Sequence, residues 1–163
     1  YYYKSKYYIF NRRVKIGRNF LVFGTLNING PGWVIIGDNV KIGMYVTPWT
    51  QHKDATIRIS DGVFMNGTRF ACESSIQVGE NTILADCRIM DTDFHGIDPN
   101  NRDVYKVAPI KIGANVWITI QCVVTKGVSI GIGTTVTPNS VVCSDLPPNT
   151  ICGGNPAVVI RTI

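Results

Sequence analysis

Residues 112–140 read IGANVWITIQCVVTKGVSIGIGTTVTPNS. A branched aliphatic residue returns at every sixth position, and a small or β-branched residue follows each one four positions later. The first series is Ile112, Ile118, Val124, Ile130 and Val136, and the second is Val116, Cys122, Val128, Thr134 and Ser140. A helix repeats near 3.6 residues and a strand near 2, so a period of six indicates a short strand plus a turn. We therefore predict a coil of short strands in which both series point inward.

The same spacing extends towards the N-terminus, with slips of one or two residues. Val78, Leu84 and Met90 continue the inward series, and Thr82, Arg88 and Phe94 stand at the small position. Three six-residue units close a triangular turn, and stacked parallel turns about 4.8 Å apart share one continuous core. A β-sandwich is the alternative, but sandwich strands come with turn signals every ~8–12 residues and no fixed period.

Length and composition indicate one domain spanning residues 1–163. The chain has five cysteines and no CxxC pair, which favours a reduced, cytoplasmic protein without a bound metal. The net charge of +5 lies in residues 1–37, which carry six basic residues and no acid. The basic, aromatic segment 1–11 can contact an anionic membrane or glycan, or form a solvated end. No recognition helix or RNA-binding signature accompanies the charge, so nucleic acid is not an expected partner.

The six-residue spacing breaks between Met90 and Ile112. The polar stretch GIDPNNRDVYK (96–106) predicts a loop extruded near residues 96–110, where insertions in a repeat protein commonly build a binding site. His95 stands where the loop leaves the coil. In a strand, residues 91, 93 and 95 would project to one side, so Asp93 would orient His95. Such an imidazole can take a proton from a hydroxyl near neutral pH, the alternative being a structural histidine.

These hexads, the loop and the segment NTICGGNPAVVIR (149–161) resemble the hexapeptide-repeat acyltransferases over about residues 12–163. The resemblance implies an all-β fold, the left-handed parallel β-helix, closed by residues 142–163. It also implies a homotrimer with active sites between subunits. In the family's sugar O-acetyltransferases a histidine just before the loop is the general base, a role that falls here on His95. Asn66, in a segment similar to an acceptor-binding one, and Asp93 are the candidate sugar contacts; an Asn-Gly turn is the alternative for Asn66.

The closing segment is similar to the family's acetyl-CoA signature, which implies cofactor contacts. Trp117 lies in IGANVWI, a stretch that resembles the approach to the pantetheine, and its outward position predicts a groove wall or a subunit contact. Thr119 and Pro138 stand where relatives usually have small residues of the cofactor site. Relatives also offer two basic residues to the 3′-phosphate of CoA that this chain lacks, so Lys126 is a candidate substitute. The cofactor-binding candidates are Trp117, Thr119, Pro138, Asn155, Pro156 and Arg161.

The resemblance thus predicts an O-acetyltransferase that uses acetyl-CoA, without a metal, on a hydroxyl of a sugar or glycan. Two alternatives remain open. The same base can serve N-acetylation of an amino sugar. A non-catalytic β-helix can bind a glycan or a surface through a row of threonines, which Thr134, Thr135 and Thr137 indicate.

Overall fold

The computed structural model describes residues 13–163, so the basic segment 1–11 and its expected membrane contact lie outside the described residues. The described residues form short strands joined by turns. In chain order these are β1 Val14–Ile16, β2 Leu21–Val22, β3 Thr25–Leu26, β4 Trp33–Ile36, β5 Lys41–Ile42, β6 Tyr45–Thr50, β7 Thr56–Ile59, β8 Phe64–Asn66, β9 Arg69–Cys72, β10 Ser75–Val78, β11 Ile83–Ala85, β12 Arg88–Met90, β13 Ile110–Ile112, β14 Trp117–Ile118, β15 Val123–Val124, β16 Ser129–Ile130, β17 Thr135–Val136, β18 Val141–Val142, β19 Thr150–Gly154 and β20 Ala157–Thr162.

Every third strand pairs in parallel, which makes three flat faces. The first sheet has the order β1-β4-β7-β10-β13-β16, the second β2-β5-β8-β11-β14-β17-β19-β20, and the third β3-β6-β9-β12-β15-β18. The strands wind as a parallel β-helix of about 7 turns, which confirms the predicted fold class. Among the strands that the structure describes, only the last reverses: β20 runs antiparallel to β19 and closes the second sheet. Within residues 13–163, no helix is long and apolar enough to cross a membrane.

The core lies along the axis of the coil and is built from the two predicted series. All ten residues of those series in 112–140 are buried, each with 4% or less of its surface exposed. The corner between the first and second sheets is occupied in four turns by an asparagine with positive φ, a left-handed conformation that asparagine tolerates better than most residues. These are Asn19 (φ 50), Asn39 (φ 59), Asn81 (φ 56) and Asn115 (φ 55).

The predicted register is wrong at β12. Ile89, not Met90, is the fully buried residue of this strand, and Cys87, not Arg88, fills the small inward position. The corner before β12 is one residue shorter than a regular hexad, with Asp86 in the left-handed region at φ 41. Because neighbours in a strand face opposite sides, this slip turns the side chains of Arg88 and Met90 outward.

The extruded loop leaves after β12 and returns at β13. Ile110, predicted as the end of the loop, instead begins β13 and is fully buried. The loop is tied to the coil at its base, where the Ala108 amide donates to the Asp91 carbonyl at 2.9 Å. Thr92 and Val107, one residue further into the loop on each side, form an antiparallel bridge. The chain therefore enters and leaves the loop at one fixed point beside β12.

Candidate functional site

Asp91 is a buried carboxylate that shapes the start of the loop. Its Oδ1 accepts a hydrogen bond from the Glu73 amide at 2.7 Å, and its Oδ2 accepts one from the Ser74 amide at 2.9 Å. The predicted strand through residues 91, 93 and 95 is wrong, because β12 ends at Met90 and Phe94 has φ +64. Asp91 therefore caps a turn of the preceding coil and does not share a face with His95.

His95 lies exposed at the point where the loop departs. Its backbone amide donates to the Asp93 carbonyl at 2.8 Å. In the described part of the chain, no hydrogen bond or ion pair engages its imidazole. The Asp93 carboxylate instead accepts from Lys126 Nζ at 2.6 Å. Asp93 thus holds the loop to the next coil rather than orienting the imidazole. Lys126, the candidate for binding the CoA phosphate, is paired with Asp93 in this structure.

Glu73 accepts hydrogen bonds from both ends of the loop. The sequence did not predict this role. Thr92 Oγ1 donates to Glu73 Oε2 at 2.8 Å, and the Tyr105 hydroxyl donates to Glu73 Oε1 at 2.9 Å. The hydrogen bond to this carboxylate, with its negative charge, raises the pKa of Tyr105 above its ordinary value. Nothing in the local sequence distinguishes Glu73 from a solvated acid, since its partners are 19 and 32 residues away.

A groove of about 510 Å³ runs along the outside of the third sheet. Trp49 and Phe94 both line it, and their rings stack with centroids 6.3 Å apart and planes inclined by 22°. Phe94 directly precedes His95 in the chain, so the backbone of the predicted base begins at a lining residue of the groove. Its lining residues are Asn29, Thr47, Trp49, Arg69, Phe70, Ala71, Arg88, Met90 and Phe94.

Asn66, the predicted acceptor contact, ends β8 on the second sheet. The next residue, Gly67, lines a hollow at the corner between the second and third sheets. Arg69 and Arg88 line both this hollow and the groove. Asn66 therefore lies at the edge of the site, around a corner from the groove.

The predicted cofactor residues gather on the second sheet and on the turns beside it, in the last coils. Trp117 on β14 points outward with 49% of its surface exposed, as its position in the hexad predicts. Pro138 follows β17, the neighbour of β14, and Arg161 lies exposed on β20. Asn155 and Pro156 form the exposed turn between β19 and β20. In a single chain these residues and His95 lie on different faces.

Thr119 is the exception among the cofactor candidates. Its side chain is buried, and its Oγ1 donates to the Val136 carbonyl at 2.6 Å. Its amide donates to the same carbonyl at 3.2 Å. The hydroxyl therefore belongs to the corner of the coil, and a ligand could reach only the backbone of this residue.

The cysteines do not form a nucleophilic site. All five are unpaired, and only Cys143 is exposed. Burial raises the pKa of the Cys87 thiol to about 12. Burial, together with the nearby Asp91 carboxylate, raises the pKa of Cys72 still further. A thiol held protonated by burial is a poor nucleophile.

We expect one of the five thiols to react quickly with DTNB in the native protein at pH 8, because Cys143 is exposed and the other four thiols are buried away from the reagent. All five should react in guanidinium chloride. A Cys143→Ser variant should lose the fast phase and serves as the control. Two or more fast equivalents in the wild type would contradict the buried assignment.

Among residues 13–163, no three His, Cys, Asp or Glu side chains converge as metal ligands would. The candidate site comprises an exposed histidine, an aromatic groove and a second face that carries the cofactor candidates.

Comparison with known proteins identifies relatives. No protein-family model matches the chain. WcaF of Escherichia coli K12, named for acetyl transfer in colanic acid biosynthesis, is 29% identical over 147 residues, 90% of this chain and 68% of WcaF. The crystal structure of a maltose O-acetyltransferase from Clostridium difficile 630 is 26% identical, with a TM-score of 0.59, covering 99% of this chain and 76% of that one. The hexapeptide-repeat acetyltransferase VCA0836 from Vibrio cholerae shares the fold at 24% identity and a TM-score of 0.68, covering 98% and 80%.

Proposed function

This chain belongs with the hexapeptide-repeat acyltransferases, and from that premise we propose that it transfers the acetyl group of acetyl-CoA to a hydroxyl of a sugar or glycan. The observation that carries the proposal is that His95 lies exposed at the start of the loop, directly after Phe94, which lines an aromatic groove. The relatives named for acetyl transfer to maltose and in colanic acid biosynthesis support both the donor group and the acceptor class.

The chemistry needs one base and no covalent intermediate. The imidazole of His95 takes the proton of the acceptor hydroxyl, and the oxygen attacks the thioester carbonyl. Backbone N–H groups that face the thioester carbonyl stabilise the oxyanion. The C–S bond then breaks, and the imidazolium returns its proton to the departing thiolate, which leaves as CoA. The unpaired cysteines fit a reducing compartment such as the cytoplasm.

The groove suits a sugar ring. Aromatic faces pack against the C–H groups of a pyranose, and Trp49 is 45% exposed at the groove. Phe94 stacks on Trp49 and is followed in the chain by His95. A ring seated on Trp49 would thus present a hydroxyl towards the loop.

A homotrimer would complete the site, because His95 and the cofactor candidates occupy different faces of one chain. On the second sheet, Phe64, Ile83 and Trp117 follow one another in an outward apolar row, with Lys41 beside Phe64. Ile83 and Trp117 are each more than two-fifths exposed. An apolar row of this kind is typical of a subunit contact. In a threefold assembly the second sheet of one subunit would face the His95 groove of its neighbour.

The threonine row that favoured a non-catalytic binding surface receives no support. Thr134 is fully buried, and its Oγ1 donates to the Pro147 carbonyl at 2.6 Å. Thr135 is half-buried and lies between Trp117 and Ile151 in the ladder, so no row of threonines crosses the second sheet at this position.

The proposed activity is tested by thiol release from acetyl-CoA with a panel of neutral, acidic and amino sugars. We expect release that depends on the sugar, with the acetyl group recovered as an ester. If the acetyl group is recovered only as an amide, and only on amino sugars, the reaction is N-acetylation and the proposal of O-acetylation is wrong. No sugar-dependent release, together with no thermal shift at millimolar CoA, would refute the proposal.

A further inference from the structure

Two arginines lie side by side in the groove. Arg69 on β9 and Arg88 on β12 are register partners in neighbouring parallel strands, and both are exposed. Partners in adjacent strands are about 4.8 Å apart, so two guanidinium groups project from the same small area. Like charges placed directly opposite each other destabilise a sheet. The pair therefore represents a concentration of positive charge that folding does not require.

Nothing in the described part of the chain neutralises this pair. The ladder continues with Thr47 on one side and Val123 on the other, and neither is charged. Across residues 13–163, neither guanidinium takes part in an ion pair, and the side chain of Asp86, the acid that lines the adjoining hollow, takes part in none either. By contrast, Arg18 and Lys126 each hold a carboxylate at 2.6 Å.

We propose that the acceptor is an acidic sugar, whose carboxylate or phosphate is bound by Arg69 and Arg88 while its ring packs on Trp49. The inference rests on the proposed function and deepens it by naming the class of acceptor. Guanidinium groups bind planar carboxylates and phosphates through paired N–H donors, so two of them make a strong anion site. The arginines and Phe94 line the same groove, which would direct the acidic substituent to the arginines and a hydroxyl to His95.

We assign the charge to the acceptor rather than to CoA, because the two arginines share one groove with the aromatic pair. The proposed donor contacts Trp117 and Arg161 lie on the second sheet in the later coils. Arg69 and Arg88 lie on the third sheet, which also carries Trp49 on β6. An aromatic ring beside the anion site also fits a sugar acid better than an extended pyrophosphate.

The test compares kcat/KM for methyl glucuronide, glucose 6-phosphate and methyl glucoside at saturating acetyl-CoA. The variants are Arg69→Gln and Arg88→Gln, and the control is Arg58→Gln, an exposed arginine on the first sheet. We expect the wild type to prefer one acidic sugar, and each groove variant to lower the acidic-to-neutral ratio about tenfold. The control should keep the wild-type ratio. Comparison of kcat/KM for methyl glucuronide and glucose 6-phosphate shows whether the arginines prefer a carboxylate or a phosphate.

Equal kcat/KM for acidic and neutral sugars in the wild type would overturn the inference while leaving the proposed function intact. So would a groove variant that raises KM for acetyl-CoA and keeps the acidic-to-neutral ratio. Saturation-transfer NMR with the same three sugars, without acetyl-CoA, separates the two proposals. Binding of an acidic sugar that is lost in Arg88→Gln, in a protein with no transferase activity, would support the anion site and refute the function. Circular dichroism confirms that each variant is folded.

Discussion

Replacement of His95 by alanine should lower kcat for acetyl transfer about 10²- to 10⁴-fold, the range that general base catalysis contributes. The acceptor hydroxyl would keep its proton, and water is a weaker and unpositioned base. The exposed imidazole makes no side-chain hydrogen bond or ion pair within residues 13–163, so the melting temperature should stay close to that of the wild type. Steady-state thiol release and differential scanning fluorimetry measure the two effects.

The other histidine offers a matched control. His52 lies in a turn with 57% of its side chain exposed, and its Nδ1 is 3.5 Å from Asp54 Oδ2. His52→Ala should leave kcat at the wild-type level. If His95→Ala retains more than a third of the wild-type rate, or if both variants lose rate equally, His95 is not the base.

Replacement of Asp91 by alanine should lower the free energy of unfolding by about 3 kcal/mol, because two backbone N–H groups lose a charged acceptor inside the protein. The amides of Glu73 and Ser74 donate to this carboxylate, which is fully buried. Glu73 in turn holds Thr92 and Tyr105 of the loop, so the loop base should loosen and kcat should fall as well. Urea denaturation followed by circular dichroism gives the free energy.

Two further variants sharpen the prediction for Asp91. Asp91→Asn keeps the shape and one acceptor oxygen, so it should lose less stability than Asp91→Ala. Asp103→Ala removes an exposed carboxylate from the same loop and should change the free energy of unfolding by less than about 0.5 kcal/mol. Equal stability of Asp91→Ala and Asp103→Ala would show that the buried cap contributes nothing.

The repeat could be predicted from the sequence because the spacing of inward residues within each hexad is a local signal. The first inward position is a branched aliphatic residue in each hexad from Ile112 to Val136, and local alternation within a short strand needs no knowledge of distant residues. The register failed at β12 because a corner shortened by one residue leaves the composition almost unchanged. That slip mattered for the site, since it brings Arg88 and Met90 to the outside.

The position of His95 could also be predicted, since the largest interruption of the repeat marks where the chain leaves the coil. Its surroundings could not. Asp93 pairs with Lys126, 33 residues away, and Trp49 stacks on Phe94, 45 residues away in the chain. Contacts of this range are set by the number of residues in each turn of the coil, which the loop interrupts between β12 and β13.

The amino-acid sequence by itself determined the coil, its inward residues and the point where the loop departs, because these depend on spacings within a few residues. Tertiary structure alone decided which outward side chains meet. Stacking of turns lines up Arg69 with Arg88, and it places the cofactor candidates on a different face from His95. The physical reason is that the outer surface of a solenoid carries no hydrophobic constraint, so its neighbours are set by the register between turns rather than by any local pattern.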